Sequence, residues 1–289
     1  MLLGSHPQAC TVGEIRAPSM GQPDLYQCSC GEKIKQCPFW DKVRAGMASR
    51  GIADFDITQA ATSIFEVPDS FAQRLLEPLH RGPFLEAARD GALSFSAAWR
   101  NYLREVRRRN LALVQVLHEL AGARIIIDSS KSALHLKYLL RTPGFRIKVL
   151  QLMRDGRAVT ASIIGHGRQR ATRAETISTA AREWRRSNEA AESLVKRLPS
   201  SQVLSMRYED LCREPEAELR RACTFLEIDP SLVSLDFRAR QLHVLGNDMR
   251  LKSTAEITLD ERWRTQLSAE DLNVFEKVAG EMNRAYGYS

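Results

Sequence analysis

Leu150-Gln151-Leu152-Met153-Arg154-Asp155-Gly156-Arg157-Ala158-Val159-Thr160-Ala161-Ser162 decides the fold. The apolar run from Arg146 to Met153, bounded by Pro143-Gly144, predicts a buried strand. Asp155 stands where a helix N-cap belongs, and Ala158 to Ile164 continue as a helix. Arg154 is therefore expected at the carboxyl end of a strand, where open α/β sheets place ligands. Ser162 follows about two helical turns on, roughly 9–10 Å along the axis at about 1.5 Å per residue. An arginine and a hydroxyl at that spacing can share one anion. The competing reading pairs Arg154 with a neighbouring carboxylate and leaves Ser162 in solvent.

Around this stretch the strand–helix alternation repeats. Arg124-Ile-Ile-Ile-Asp128 predicts a short buried strand, and Ser129 or Ser130 is expected to cap a helix from Lys131 to Arg141. A lysine at the positive end of a helix makes sense if an anion binds there, the alternative being a lysine reaching into water. Thr176 to Leu198 is strongly amphipathic and Pro199 ends it; Gln202 to Arg207 predicts a further strand, and Pro215 opens a helix through Leu226. Ser268 and Asp271 form a capping box for a last helix. Strands separated by helices argue an α/β fold, with at least three parallel strands.

The 289 residues suffice for one large domain or two smaller ones, and 44% hydrophobic with 27% charged residues is ordinary globular composition. A formal net charge of +7 favours an anionic ligand. No apolar run reaches transmembrane length, and residues 1–20 lack the order of a signal peptide, so a soluble, cytoplasmic protein is the default. Residues 51–122 read as mostly helical, with Trp99, Tyr102, Leu103, Val106, Leu113, Leu117 and Leu120 on one face of a helix that Gly122 ends. Arg104, Arg107, Arg108 and Arg109 lie opposite, a pattern that reads as a solvated face before it reads as a nucleic-acid surface.

Cysteines cluster early, in Cys28-Ser-Cys30-Gly31 and Cys37-Pro-Phe-Trp40, with Cys10 before them. Zinc would need a fourth ligand, for which Cys10 or His6 is available; a loop disulfide and reduced structural thiols are the other readings. The spacing is not the paired Cys-x-x-Cys of zinc ribbons, so reduced thiols are preferred and no metal is expected. Cys212 and Cys223 read as small core residues.

Several of these segments, in this order, resemble the sulfotransferases that use 3′-phosphoadenosine 5′-phosphosulfate, and are especially similar to tyrosylprotein sulfotransferases and bacterial sulfotransferase-like proteins. Leu152-Met-Arg154 through Ser162 is similar to the family's 3′-phosphate motif, so the resemblance implies that Arg154 and Ser162 bind the donor's 3′-phosphate. Arg207-Tyr208-Glu-Asp-Leu resembles a segment whose tyrosine lies near the adenine, which implies a nucleotide role for Tyr208. Asp128-Ser-Ser-Lys131 resembles the strand end that carries a catalytic lysine. His6-Pro7 followed by Gly13-Glu14 resembles a segment whose carboxylate accepts the acceptor's proton; the competing reading of Glu14 is a surface carboxylate beside Arg16. His243-Val-Leu-Gly246-Asn247-Asp-Met-Arg250, with Trp263 beyond, resembles a late bacterial segment that closes over the nucleotide, and Arg250 is its implied contact.

The resemblance implies a P-loop NTPase-like parallel sheet flanked by helices, one domain over residues 1–289, with 51–122 as a helical insertion and candidate acceptor-binding region. It implies 3′-phosphoadenosine 5′-phosphosulfate as co-substrate and no metal. The family's first strand and its Gly/Ser-rich phosphosulfate loop have no counterpart, because Met1-Leu-Leu-Gly4 reads as the end of the helix that follows that loop. Impaired activity is the resulting expectation, and a non-catalytic nucleotide- or protein-binding relative is the alternative. A small-molecule, carbohydrate, lipid or peptide acceptor is implied, and nucleic acid is not expected. A kinase-like reading is disfavoured, since no Gly-x-x-x-x-Gly-Lys-Ser/Thr loop occurs.

Overall fold

The Arg146–Met153 run forms a strand only over Val149–Met153, β3, and not the buried one expected, since only Val149 is buried and Leu152 is exposed. It pairs in parallel with β4 (Val203–Arg207) in continuous register from Val149 opposite Val203 to Met153 opposite Arg207. In this computed structural model the described residues are all except 16–23, 60–61, 66, 68, 77–82, 166–171, 247–250, 252–255 and 289. The chain divides into two compact units: Met1–Ile147 with Leu219–Glu256, and Lys148–Glu218 with Ile257–Ser289.

In the first unit, β1 (Ala9–Gly13) pairs in parallel with β2 (Ile125–Asp128). The β1 strand was not anticipated. Its run Ala9-Cys-Thr-Val12 is short, but Ala9 and Val12 are fully buried, and Thr11 turns its hydroxyl onto the Ile127 carbonyl at 3.0 Å. Met1-Leu-Leu-Gly4, read from the sequence as a helix end, forms a 3-10 turn at Leu2–Ser5. Between the strands come α1 (Pro38–Ala48), α2 (Ser70–Leu76), α3 (Pro83–Phe95) and α4 (Ala97–Ala121). Ser96 caps α4 by accepting from the Trp99 amide, and Gly122 ends it in the left-handed conformation, as its sequence position implies. Trp40, Val43 and Met47 of α1 pack on Leu113, Val116 and Leu117 of α4. Leu120, placed on the same apolar face from the sequence, is exposed. Arg108 and Arg109 face Glu105, and Arg109 also reaches Asp54, which removes much of the free charge that a nucleic-acid surface would need.

The helix after β2 is shorter than expected. It is α5 (Ala133–Leu140), capped by Ser132, whose hydroxyl accepts from the His135 amide. Ser130 is turned back onto Asp128 and cannot cap, so Lys131 lies in the loop ahead of the helix and not within its first turn.

The second unit interleaves β3 and β4 with α6 (Gly156–Gly165) and α7 (Arg173–Val195), then continues with α8 (Tyr208–Arg213). A capping box of Thr172 and Glu175 starts α7 earlier than the apolar pattern suggested. Pro215 opens α9 (Pro215–Leu226), which passes into the first unit from Leu219 onward, and the second unit closes with α10 (Trp263–Gln266) and α11 (Ala269–Ala285), the last held by the expected Ser268–Asp271 box. Ala158, Ala161, Ile177, Trp184, Phe275 and Ala279 make its core. The architecture is mixed α/β, with short parallel strand pairs flanked by helices. Among the described residues no helix is long and apolar enough to cross a membrane.

Candidate functional site

The carboxyl ends of β1 and β2 are laced together, and two of the predicted site residues leave from that point. Asp128 Oδ1 accepts from the amides of Ile15 at 3.0 Å and Ser130 at 2.8 Å, and from the Ser130 hydroxyl at 2.6 Å. Ser129 donates its amide to the Gly13 carbonyl at 2.8 Å. Glu14 and Lys131 follow directly, and Lys131 Nζ lies 2.9 Å from Glu14 Oε1. Lys131 is largely exposed and Glu14 largely buried, so the pair presents a cation to solvent from a seated carboxylate. Glu14 thus pairs with Lys131, while Arg16, its neighbour in the competing reading, lies outside the described residues.

A third segment borders Glu14. Leu245 donates its amide to the Val12 carbonyl at 2.8 Å and bridges Gly13, so residues 242–246 run along the free edge of β1. Gly13 (φ +82°) must be glycine here, since a Cβ would lie 2.0 Å from the Leu245 carbonyl oxygen. Tyr26 clasps the end of the segment, donating its hydroxyl to the Gly246 carbonyl and accepting from the Gly246 amide. His6, for which a zinc role was open, is buried behind the strand instead. It faces the Asp229 carbonyl through Nε2 at 2.8 Å and accepts the Gln8 amide on Nδ1.

In the second unit Arg154 follows β3 directly, as expected, while Ser162 sits half-buried on α6. The guanidinium of Arg154 lies over the Tyr208 ring at 4.6 Å and reaches Asp260 Oδ2 at 3.2 Å. Tyr208 is thus in contact with the expected 3′-phosphate ligand. Burial, followed by its hydrogen bond with Cys212, pushes the Tyr208 hydroxyl up to about 12, so it stays a neutral ring under the cation. Asp260 was not foreseen, because no local pattern links it to a residue 106 positions away. Arg262, gripping both Asp260 oxygens, holds that carboxylate well below the usual range, and Arg154 adds to the effect.

Backbone amides at the start of α6 are already spoken for. Asp155 donates to Glu209 Oε1 at 3.0 Å, Gly156 to Asn283 Oδ1 at 2.8 Å, and Arg157 to Asp155 Oδ1 at 2.9 Å. Glu209 is fixed in turn by the Tyr288 hydroxyl at 2.6 Å. The carboxylate next to Tyr208 therefore braces the turn that carries Arg154. These three amides are therefore not free to receive an anion at the helix terminus. Arg250 lies outside the described residues.

The cysteines that matter are grouped as the sequence suggested, except for the fourth partner. Cys28, Cys30 and Cys37 meet His243, whereas Cys10 sits in β1.

No curated protein matches this chain. Solved structures that align with it include the sulfotransferase domain from the curacin biosynthetic pathway, at 13% identity and a TM-score of 0.48 over 100% of this chain and 92% of the other, and the sulfotransferase domain from the Synechococcus PCC 7002 olefin synthase, at 17% identity and a TM-score of 0.46 over 93% of each. A family model described as "Sulfotransferase family" matches residues 34–231, a stretch that carries Lys131, Arg154, Ser162 and Tyr208 and covers well over half of the sequence. The chain belongs to the sulfotransferase family.

Proposed function

We propose that this protein transfers a sulfuryl group from 3′-phosphoadenosine 5′-phosphosulfate to a hydroxyl or amine of an acceptor. The observation that carries the reading is the Glu14–Lys131 pair at the ends of two adjacent parallel strands, a base and a cation 117 positions apart in sequence and 2.9 Å apart in space. The acceptor oxygen attacks sulfur as the bond between sulfur and the bridging phosphate oxygen breaks. Glu14 takes the acceptor's proton, and Lys131 leaves Glu14 to neutralise the charge that develops on the departing phosphate. Arg154 and Ser162 hold the 3′-phosphate, which displaces the Asp260 carboxylate from the guanidinium. Tyr208 and Arg250 complete the nucleotide contacts, residues 1–289 act as one sulfotransferase domain, and the helical region 51–122 supplies the acceptor side. Within that region and α5, Trp99, Leu103 and Tyr138 floor a cleft of about 410 Å³ whose rim carries Arg100, Arg104, Arg107 and Arg141, the last paired with Asp90, which also lines it. Such a lining suits an acceptor with an apolar or aromatic body and a negative charge.

Calorimetry with 3′-phosphoadenosine 5′-phosphate tests the donor half without requiring turnover. Binding is expected, and Arg154→Ala should weaken it by about tenfold to a hundredfold, since a charge-assisted hydrogen bond is worth roughly 1.5–3 kcal/mol. No binding, or binding indifferent to Arg154→Ala, would overturn the reading.

A further inference from the structure

Cys28, Cys30, Cys37 and His243 offer one donor atom each, and all four atoms lie within 4.8 Å of one another. Three of the six separations are 3.7 Å between the sulfurs of Cys30 and Cys37, 3.7 Å from Cys28 Sγ to His243 Nδ1, and 3.3 Å from Cys37 Sγ to His243 Nδ1. A tetrahedral zinc ion, with bonds of about 2.3 Å to sulfur and about 2.0 Å to nitrogen, holds its ligand atoms roughly 3.5–3.8 Å apart. A disulfide would need about 2.05 Å, and all of these cysteines are free. We propose that the four side chains bind one Zn²⁺, and that this ion staples residues 242–246 to the Cys28–Cys37 turn and so fixes the edge segment beside Glu14.

The surroundings are those of a built metal site. The Cys30 amide bonds the Cys28 sulfur, and the Phe39 and Trp40 amides, at the positive end of α1, bond the Cys37 sulfur. The His243 ring is stacked on Phe39, centroids 4.5 Å apart and planes 3° from parallel, which sets the direction of its nitrogen. Ser29, between two of the ligands, ties down both neighbours of His243: it accepts the Val244 amide at 2.7 Å and donates its hydroxyl to the Leu242 carbonyl. Cys28 and Cys37 are fully buried, while Cys30 and His243 are half-buried and leave a way in. Soft thiolates exclude magnesium and calcium, and four protein ligands leave no open position, so the ion's role is structural. It would close a chain segment of 206 residues between Cys37 and His243, which makes the long-range pairing of residues 242–246 with β1 cheap to hold once formed.

Metal content is measured on the full chain by inductively coupled plasma mass spectrometry after expression in zinc-supplemented medium. About one zinc per chain is expected. Cys30→Ser and His243→Ala should each lose at least a hundredfold in zinc affinity, beyond the roughly 10–100-fold cost of altering an outer partner, while Cys10→Ser keeps the metal. Cobalt substitution of the unaltered protein should give the intense visible bands of a tetrahedral, thiolate-rich site, which decides the matter even if a variant does not fold. A chain that takes up neither ion, full zinc retention in both ligand variants, or a Cys30–Cys37 disulfide in peptide maps of native protein would each overturn the proposal. None of these readouts depends on sulfuryl transfer.

Discussion

Arg154 shows how one side chain can satisfy two readings in turn. Its guanidinium lies against a ring and holds a carboxylate, the arrangement expected of a structural ion pair; under the proposed function the same arrangement would keep it pointed for a phosphate. If Asp260 competes for the anion site, Asp260→Asn should tighten 3′-phosphoadenosine 5′-phosphate binding several-fold, because a charge-assisted contact no longer has to be given up. Calorimetry reads this directly, and unchanged or weaker binding means that Asp260 positions Arg154 instead of competing. At the other half, Glu14→Gln should leave nucleotide affinity nearly unchanged and lower kcat by about 10²–10⁴-fold, the usual contribution of a general base. Lys131→Ala is expected to slow the same chemical step, which single-turnover kinetics reads directly.

At the scale of elements, close approach rather than propensity limits the substitutions that these strands and helices accept. Gly13→Ala combines a left-handed backbone with a Cβ placed 2.0 Å from the Leu245 carbonyl oxygen, so it should cost about 3 kcal/mol or more. Gly156, at the start of α6, has no unusual backbone, but a Cβ would sit 2.7 Å from Phe275 Cζ and 2.9 Å from the Trp184 ring. Gly156→Ala should therefore destabilise by about 1–3 kcal/mol, through overpacking of α6 against α7 and α11. Urea denaturation midpoints at constant slope check both values. A Gly156→Ala variant as stable as the parent would show that the α6 contact yields easily.

For the whole molecule, alkaline pH should act through buried tyrosines. Burial is the leading cause in each case. It pushes Tyr138 and Tyr208 up to about 12, and with help from Glu192 and Glu209 it raises Tyr286 and Tyr288 as well. The unfolded chain releases these protons near the ordinary value of about 10. Between about 10 and about 12 the folded protein thus keeps protons that the unfolded chain gives up, and stability falls as pH rises through that window. Chemical denaturation across it, with tyrosinate absorbance followed in parallel, is the measurement. A denaturation midpoint constant through the window would contradict the assignment. Three of the four tyrosines belong to the second unit, so its unfolding should respond most.

The local signals in the amino-acid order were sufficient for much of this. Alternating apolar runs and caps gave the strands β2, β3 and β4, the long helix α4 and its Gly122 end, the Ser268–Asp271 box, and Arg154 at a strand exit. These depend on backbone conformation within a few residues, and such information is present in any short window. What only the tertiary structure decided is every pairing across distance: Glu14 with Lys131, Arg154 with Asp260, Glu209 with the Asp155 amide, and His243 with three cysteines over two hundred residues away. The first cap after β2 went to Ser132 because Ser130 is bound to Asp128, whose Oδ1 also accepts the Ile15 amide from the chain just past β1. Spacing in sequence sets which residue types are available; which of them meet is determined by the packing of helices and strands that carry no local mark of their partners.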